Sequence, residues 1–454
     1  MTHAVIGAGF AGLPVAKRLI ELGEDVEILD RNDGIGGLWH TGVYESAHLI
    51  SSRRSTSLPD YPMPESWPDF PSRNQVREYL QAYAREFGMA SHVRSGVEVT
   101  RVRPDPHGDA GSRWLVDFAD GMTKAYATVT LATGHFSTPR ELPHDGKFDG
   151  EIIRSGEYRD DSMFAGKRVL VVGYGNTGCD AAVDVARVTG HADISMRSGT
   201  YFLPKTFLGI PMADFGMYSP IKTDFTDRLV ARAAHRLSVG DLGKYGISKP
   251  AFRILDKHPV LNSELLHLIR HGRVTVRPDI ARLDGSKVHF VDGHVQEYDV
   301  IFYATGYRVD YPMLREEDHV VERKGDLPIL LVGTVAPLHR GLFFVGLGQA
   351  RTGGGPLFQS AGYSVARLAA LDAHSSRPVP DLIRESKRAQ FLEKRLKRRL
   401  ERPADMRSKG LGEVQRGLKW LAGLCDEIGA PTAPIRSSRM QDVGTTPSMP
   451  GRPQ

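Results

Sequence analysis

The sequence predicts an α/β chain of two Rossmann-type dinucleotide-binding domains, the second inserted into the first, followed by a helical C-terminal appendage. Three observations support this. A strand–glycine turn–helix pattern occurs twice, as Gly7/Gly9/Gly12 and as Gly173/Gly175/Gly178. A second pair of similar segments, Leu131-Ala-Thr-Gly-His135 and Tyr303-Ala-Thr-Gly-Tyr307, lies on either side of the second turn. Finally, 454 residues are enough for about three domain-sized units.

The elements follow in order. Residues 3–12 pass from a short apolar strand into the first glycine turn, and a helix follows with Leu13, Ala16, Leu19 and Ile20 at helical spacing. The strand 26–30 ends in Asp30. Residues 36–71 are rich in Pro, Ser and Gly, and a loop of that length inside a compact domain is usually functional. Helical periodicity returns over 74–87, then strands near 97–102, 114–118 and 128–132. At Arg168 the opening pattern restarts: a strand to Gly173, a helix with Ala181, Val183, Val185 and Ala186, and a strand 192–196 ending in Arg197. Strands near 274–276, 288–291, 300–306 and 342–345 come later, and the run Gly353–Gly355 precedes a helix over 357–371. The segment 387–402 holds eight Lys/Arg and two Glu, with Phe391, Leu392, Leu396 and Leu400 spaced along one side of a helix. The expected boundaries are 1–165 and 297–383 for the first domain and 166–296 for the second. A basic helical segment is expected at 384–433 and a disordered tail at 434–454.

Composition removes several function classes. Two cysteines, Cys179 and Cys425, cannot build a disulfide framework, a CxxC redox pair or a zinc site. The 17 histidines lack close Cys or carboxylate company, so no metal is expected. G-x-S-x-G is missing, which argues against an α/β-hydrolase. There is no run of about 18 apolar residues and no signal peptide, so the chain reads as cytoplasmic. The net charge is +5, but 384–454 carries +8 and the remainder −3. The basic character thus belongs to the appendage, and no nucleic-acid partner is expected. Docking of 387–402 on the body is the main reading of that segment, and contact with an anionic membrane surface the minor one. The sequence leaves the oligomeric state open.

The two turns differ at the ends of their second strands. Glycines suit a tight turn where backbone approaches a pyrophosphate at a helix N-terminus. Asp30 lies 18 residues past Gly12, where a carboxylate accepts hydrogen bonds from an adenosine ribose and repels a 2′-phosphate. Arg197 lies 19 residues past Gly178, where a guanidinium suits a 2′-phosphate. The first site is therefore expected to hold FAD or NAD and the second NADP. Two dinucleotides in one chain imply hydride transfer from NADPH to a flavin.

An ordered series of motifs extends this reading. Gly7–Gly12, Gly36-Gly-Leu-Trp39, Pro59-Asp-Tyr-Pro-Met-Pro64, Ala-Thr-Gly134, Phe148-x-Gly150 with Tyr158, Gly173–Gly178 and Ala-Thr-Gly306 occur in sequence. In this the chain resembles the flavin-containing monooxygenases, the class B flavoprotein monooxygenases, over about residues 1–370. The resemblance implies FAD, NADPH and molecular oxygen as reactants. It also implies a flavin C4a-hydroperoxide that delivers one oxygen atom to a small organic substrate by N- or S-oxygenation or Baeyer–Villiger chemistry. Implied cofactor contacts are Gly37, Leu38, Trp39, Thr133, Gly134, Asn176, Thr177, Ala304, Thr305, Gly306 and Gln359, besides the two turns, Asp30 and Arg197. Two departures stand out. Arg154 occupies the family's linker histidine position, and Ile50 occupies that of the active-site asparagine. Ser52, Arg53 and Arg154 are then the candidates to support the oxygen chemistry in its place. Without them part of the NADPH ends as hydrogen peroxide. The alternatives are an NADPH oxidase and a flavoprotein redox sensor or reductase without oxygen insertion.

Overall fold

The computed structural model describes residues 1–109, 112–136, 138–140, 144–218, 223–405 and 408–440. Two five-stranded parallel sheets organise the chain. The first runs in the order Leu342–Phe344, Thr128–Leu131, Thr2–Ile6, Asp25–Leu29, Val93–Arg94. The second repeats that order at four positions, with Val300–Tyr303, Val169–Val172, Ala192–Ser195 and Val274–Arg277, while its edge strand Glu151–Arg154 comes from before the glycine turn and not from after it. All four residues are buried in each of Thr128–Leu131, Val169–Val172 and Val300–Tyr303. Such strands lack the apolar–polar alternation of half-exposed ones because a parallel sheet is covered on both faces. The duplication extends further. An antiparallel meander accompanies each sheet: Val99–Pro104, Trp114–Phe118 and Thr123–Tyr126 for the first, and Ile280–Gly285, Lys287–Phe290 and Val295–Glu297 for the second.

The second unit is inserted between Thr128–Leu131 and Leu342–Phe344 of the first sheet. The chain crosses out and back beside itself, because Thr138–Pro139 pairs antiparallel with Tyr307–Arg308. These short strands follow the two Ala-Thr-Gly segments. In the first unit, helix Gly12–Glu21 buries Leu13, Val15, Ala16 and Leu19 and packs against helix Gly355–His374. Gly362 permits this close approach, since a Cβ there would sit 3.1 Å from Pro14 Cβ and 3.2 Å from the Val15 nitrogen.

The C-terminal part differs from the sequence expectation in two places. The helix expected over 387–402 ends at Lys394. Phe391 and Leu396 are about half exposed, Lys397 takes a positive φ, and Leu400 enters the first core. The apolar stripe does not keep one face to the core, so the chain turns and Glu401–Pro403 joins Leu327–Leu331 as a strand. A further helix, Leu411–Glu427, lies on Gly355–His374. The expected disordered tail also needs correction. Residues 434–440 lie along the first unit, fixed by hydrogen bonds to buried charged groups, and Met440 joins the core. The rest of that tail, 441–454, falls outside the described residues. Among the described residues no helix is long and apolar enough to cross a membrane.

Candidate active site

The two glycine turns share their geometry. Gly7 has φ +117° and Gly173 has φ +110°, and a Cβ on either would overlap the carbonyl oxygen of the first alanine in its Ala-Thr-Gly segment, Ala132 or Ala304. A Cβ on Gly12 or Gly178 would overlap the carbonyl oxygen of Gly7 or Gly173, and each would lie 3.2 Å from the same alanine's Cβ. The first and third glycines are thus required by the protein's own packing. The middle glycines differ. Gly175 has no protein atom within 4 Å of a Cβ position, which leaves open space where a phosphate would approach the start of helix Asn176–Thr189. Gly9 faces Gly37, whose φ is +54° and whose added Cβ would lie 3.0 Å from the Gly9 Cα. The Gly36-Gly37 pair therefore folds its backbone over the first turn, and the Gly36 N–H donates to the Ala8 carbonyl at 3.1 Å.

Around the first turn, Asp30 is buried and both of its oxygens are engaged. Oδ2 accepts from the Ala8 N–H at 2.7 Å and Oδ1 from the Asn32 N–H at 2.9 Å. It ties the strand end to the turn, and each oxygen retains a lone pair for a further donor. Leu38 and Trp39 begin the short helix Leu38–Gly42, and Trp39 packs partly buried against the first core. The Thr133 hydroxyl and the His135 Nε2 are shielded from water and have no hydrogen-bond partner among the described residues. His135 Nδ1 meets the Gly346 carbonyl at 3.0 Å, and burial pulls its pKa down. Unpartnered polar groups beside a glycine turn fit a bound polar cofactor. Gly353 and Gly355 are no flexible connector: a Cβ on either would overlap the backbone of residues 55–57. The start of helix Gly355–His374 is thereby set against the helix Arg53–Thr56. Gln359, one turn in, accepts the Asp60 N–H at 3.2 Å.

Around the second turn, Asn176 Oδ1 accepts from the Leu261 N–H at 3.1 Å, and Thr177 is partly exposed in the first helical turn. Thr305 and Gly306 follow the neighbouring strand, and the Gly306 carbonyl accepts from the Arg140 N–H. Arg197 is exposed at the end of Ala192–Ser195 and makes no hydrogen bond or ion pair among the described residues. Its positive field reaches His144, whose pKa is held down by burial first and by Arg197, against the pull of Asp279.

The three catalytic candidates separate. Ser52 is buried, caps the short helix Arg53–Thr56 through the Ser55 N–H, and donates to Asp214 at 2.7 Å. Arg53 is half-buried and its Nε donates to the Trp67 carbonyl at 2.9 Å. Arg154 lies at the edge of the second sheet, partly exposed and turned towards Glu157. Ile50 packs against the apolar cluster of Leu203, Ala231, Ile254, Leu255 and Leu261. Sequence reasoning missed the contacts between the 36–71 loop and the second unit. Tyr44 donates to Asp180, and Ser46 and Tyr158 both donate to Asp184. Burial raises the Asp184 pKa despite these two donors. Partners 136 to 138 residues away leave no local spacing signal. A cavity of about 70 Å³ with a mixed lining lies in the second unit, where Leu203, Met212, Phe215 and Leu255 face it together with Asp227, His258 and Arg351.

Comparison with known proteins places this architecture. The family model "Flavin-binding monooxygenase-like" matches residues 2–347. Flavin-containing monooxygenase 5 of Rattus norvegicus is 31% identical over 350 residues, covering 71% of this chain and 65% of the relative. Indole-3-pyruvate monooxygenase YUCCA1 of Oryza sativa subsp. japonica is 30% identical over 334 residues, covering 71% of this chain and 80% of the relative. The chain thus spans about two thirds of the rat protein's length. Among solved structures, cyclohexanone monooxygenase from Rhodococcus sp. Phi1 superposes with a TM-score of 0.69 at 18% identity, covering 94% of this chain and 98% of that one. The chain belongs to the flavin-binding monooxygenase-like family.

Proposed function

We propose that this chain is an NADPH- and FAD-dependent monooxygenase acting on a small organic substrate, with FAD at the first glycine turn and NADP at the second. The supporting observation is the pair of matching turns with unlike partners: a closed, acid-ended first turn and an open second turn beside an unpaired arginine. The bound flavin supplies the redox chemistry that passes electrons from NADPH to oxygen. The chain's own residues bind, orient and exclude water. Gly36-Gly37 and Asp30 fix the first turn, and Arg197 supplies a cation for a 2′-phosphate. The segment 43–52 holds the two units together through Asp180, Asp184 and Asp214. The cavity of about 70 Å³ beside Thr352 suits a small substrate group and favours the small-molecule reading. Ser52 has a capping role and Arg154 a surface pairing, so the support for the oxygen chemistry rests on shielding from water and on Arg53. Two unpaired, buried cysteines fit a cytoplasmic setting.

The test is a substrate panel with NADPH, oxygen and hydrogen peroxide followed together. At least one amine, sulfide or ketone is expected to yield product with less peroxide formed than NADPH consumed. Peroxide equal to NADPH for every compound means an oxidase and overturns the assignment.

A further inference from the structure

The family match ends at residue 347, yet the chain beyond it seals a buried charge cluster in the first unit. Lys17, on helix Gly12–Glu21, is 1% exposed. Its ammonium lies 2.8 Å from Asp60 Oδ2 and 2.6 Å from Glu21 Oε1, and donates to the Tyr363 hydroxyl at 2.8 Å. Its three hydrogen bonds go to Glu21, Tyr363 and the main-chain carbonyl of Arg436, the last at 2.8 Å, and Asp60 is its ion-pair partner. Tyr363 in turn donates to Asp60. A charge pair this deep repays its desolvation only when further hydrogen bonds meet the charged groups.

Residues 431–440 supply several of these bonds, while Asp60 Oδ1 stays buried without a hydrogen-bond partner among the described residues. The Arg436 N–H donates to Glu21 Oε1 at 2.9 Å and the Ser438 N–H to the Asp60 carbonyl at 2.9 Å. Arg367, also buried, anchors the start of the segment through the carbonyls of Ala430 and Pro431, each at 2.9 Å. Met440 closes the far end in the core. Asp60 is the hub: its carboxylate meets Lys17, its carbonyl meets Ser438, and its N–H holds Gln359 near the start of helix Gly355–His374.

We infer that Lys17 and Asp60 are positioning residues for the flavin site and that residues 431–440 hold them in place, so closure of this segment and flavin binding strengthen each other. The inference rests on the reading that FAD occupies the first turn. Coupling of this kind is reciprocal, so FAD must tighten the segment by the factor by which the segment tightens FAD.

The experiment is amide hydrogen exchange on the full chain, stripped of flavin and then saturated with FAD. Exchange at Arg436 and Ser438 is expected to slow at least tenfold with FAD, while helix Asn176–Thr189 stays unchanged. Unaltered exchange at Arg436 and Ser438 with FAD bound overturns the inference and leaves the site assignment standing. A chain that binds no FAD overturns both. A second measurement uses full-length variants. Arg436→Pro with Ser438→Pro removes both N–H donors and is expected to raise the FAD dissociation constant at least tenfold with NADP+ binding unchanged. Arg436→Ala with Ser438→Ala keeps both donors and is expected to stay within twofold. Equal effects of the two pairs, or no effect of the proline pair, overturn the inference.

Discussion

The open face at Gly175 allows a ligand-facing glycine to be separated from glycines the fold needs. Gly175 has φ −66° and ψ 176°, which any residue adopts, and no protein atom lies within 4 Å of a Cβ there. Gly175→Ala therefore loses no packing, and the less flexible unfolded chain stabilises the fold by about 0.4–1 kcal/mol. The new methyl instead fills the space a pyrophosphate needs, and displaces it from the helix N-terminus. Losing one charge-assisted hydrogen bond costs about 1.5–3 kcal/mol, which is roughly ten- to a hundredfold in affinity. Gly173→Ala and Gly178→Ala behave oppositely, because their methyls overlap the carbonyl oxygens of Ala304 and Gly173. Each is expected to destabilise the fold by more than about 1 kcal/mol. Thermal unfolding and NADP+ titration of the three variants decide the matter. A Gly175→Ala protein that keeps its NADP+ affinity, or that melts well below the parent, refutes the reasoning.

Further outcomes follow from the same geometry. Arg197→Ala, at an exposed side chain without a protein partner, is expected to weaken NADPH use roughly ten- to a hundredfold and leave NADH kinetics and the melting temperature unchanged. Equal loss with both nucleotides would make Arg197 structural. Ile50→Asn places an amide in an apolar cluster and is expected to cost about 1–3 kcal/mol of stability without lowering the peroxide-to-NADPH ratio. An improved ratio would mean that residue 50 reaches the flavin. His135 is held below its ordinary pKa by burial, so the unfolded chain takes up a proton first as pH falls. Its contribution to stability is whole above about pH 6.5 and declines as pH drops towards the folded value. His135→Asn is expected to flatten the stability–pH curve between pH 7 and 5, measured by denaturant unfolding.

Much of this architecture was legible because its signals are local. A strand, three glycines and a helix fall within some twenty residues, and the recurrence of that unit with its Ala-Thr-Gly partner exposed the duplication. The insertion was implied by the placement of Leu131–His135 and Tyr303–Tyr307 on either side of the second turn. What escaped was long-range. Ser52 was a candidate to support the oxygen chemistry, and its bond to Asp214, 162 residues away, left no local spacing signal. Asp60 belongs to a recognisable Pro-Asp-Tyr-Pro run, yet its Lys17 and Ser438 contacts have no sequence pattern. Residues 434–440 read as disordered from composition, because backbone donors and acceptors fasten much of that stretch.

The insertion also dictates an order of assembly. All five strands of the second sheet fall within residues 151–303, so that unit has every strand it needs once this stretch has left the ribosome. The first sheet must wait for Leu342–Phe344, and its core for Met440. Until then the helix Gly12–Glu21 lacks the helix Gly355–His374 and carries Lys17 and Glu21 without their last partners. Residues 12–21 are made well before the partners that bury them, so a nascent chain of this kind exposes an unfinished apolar face until residues 355–440 follow.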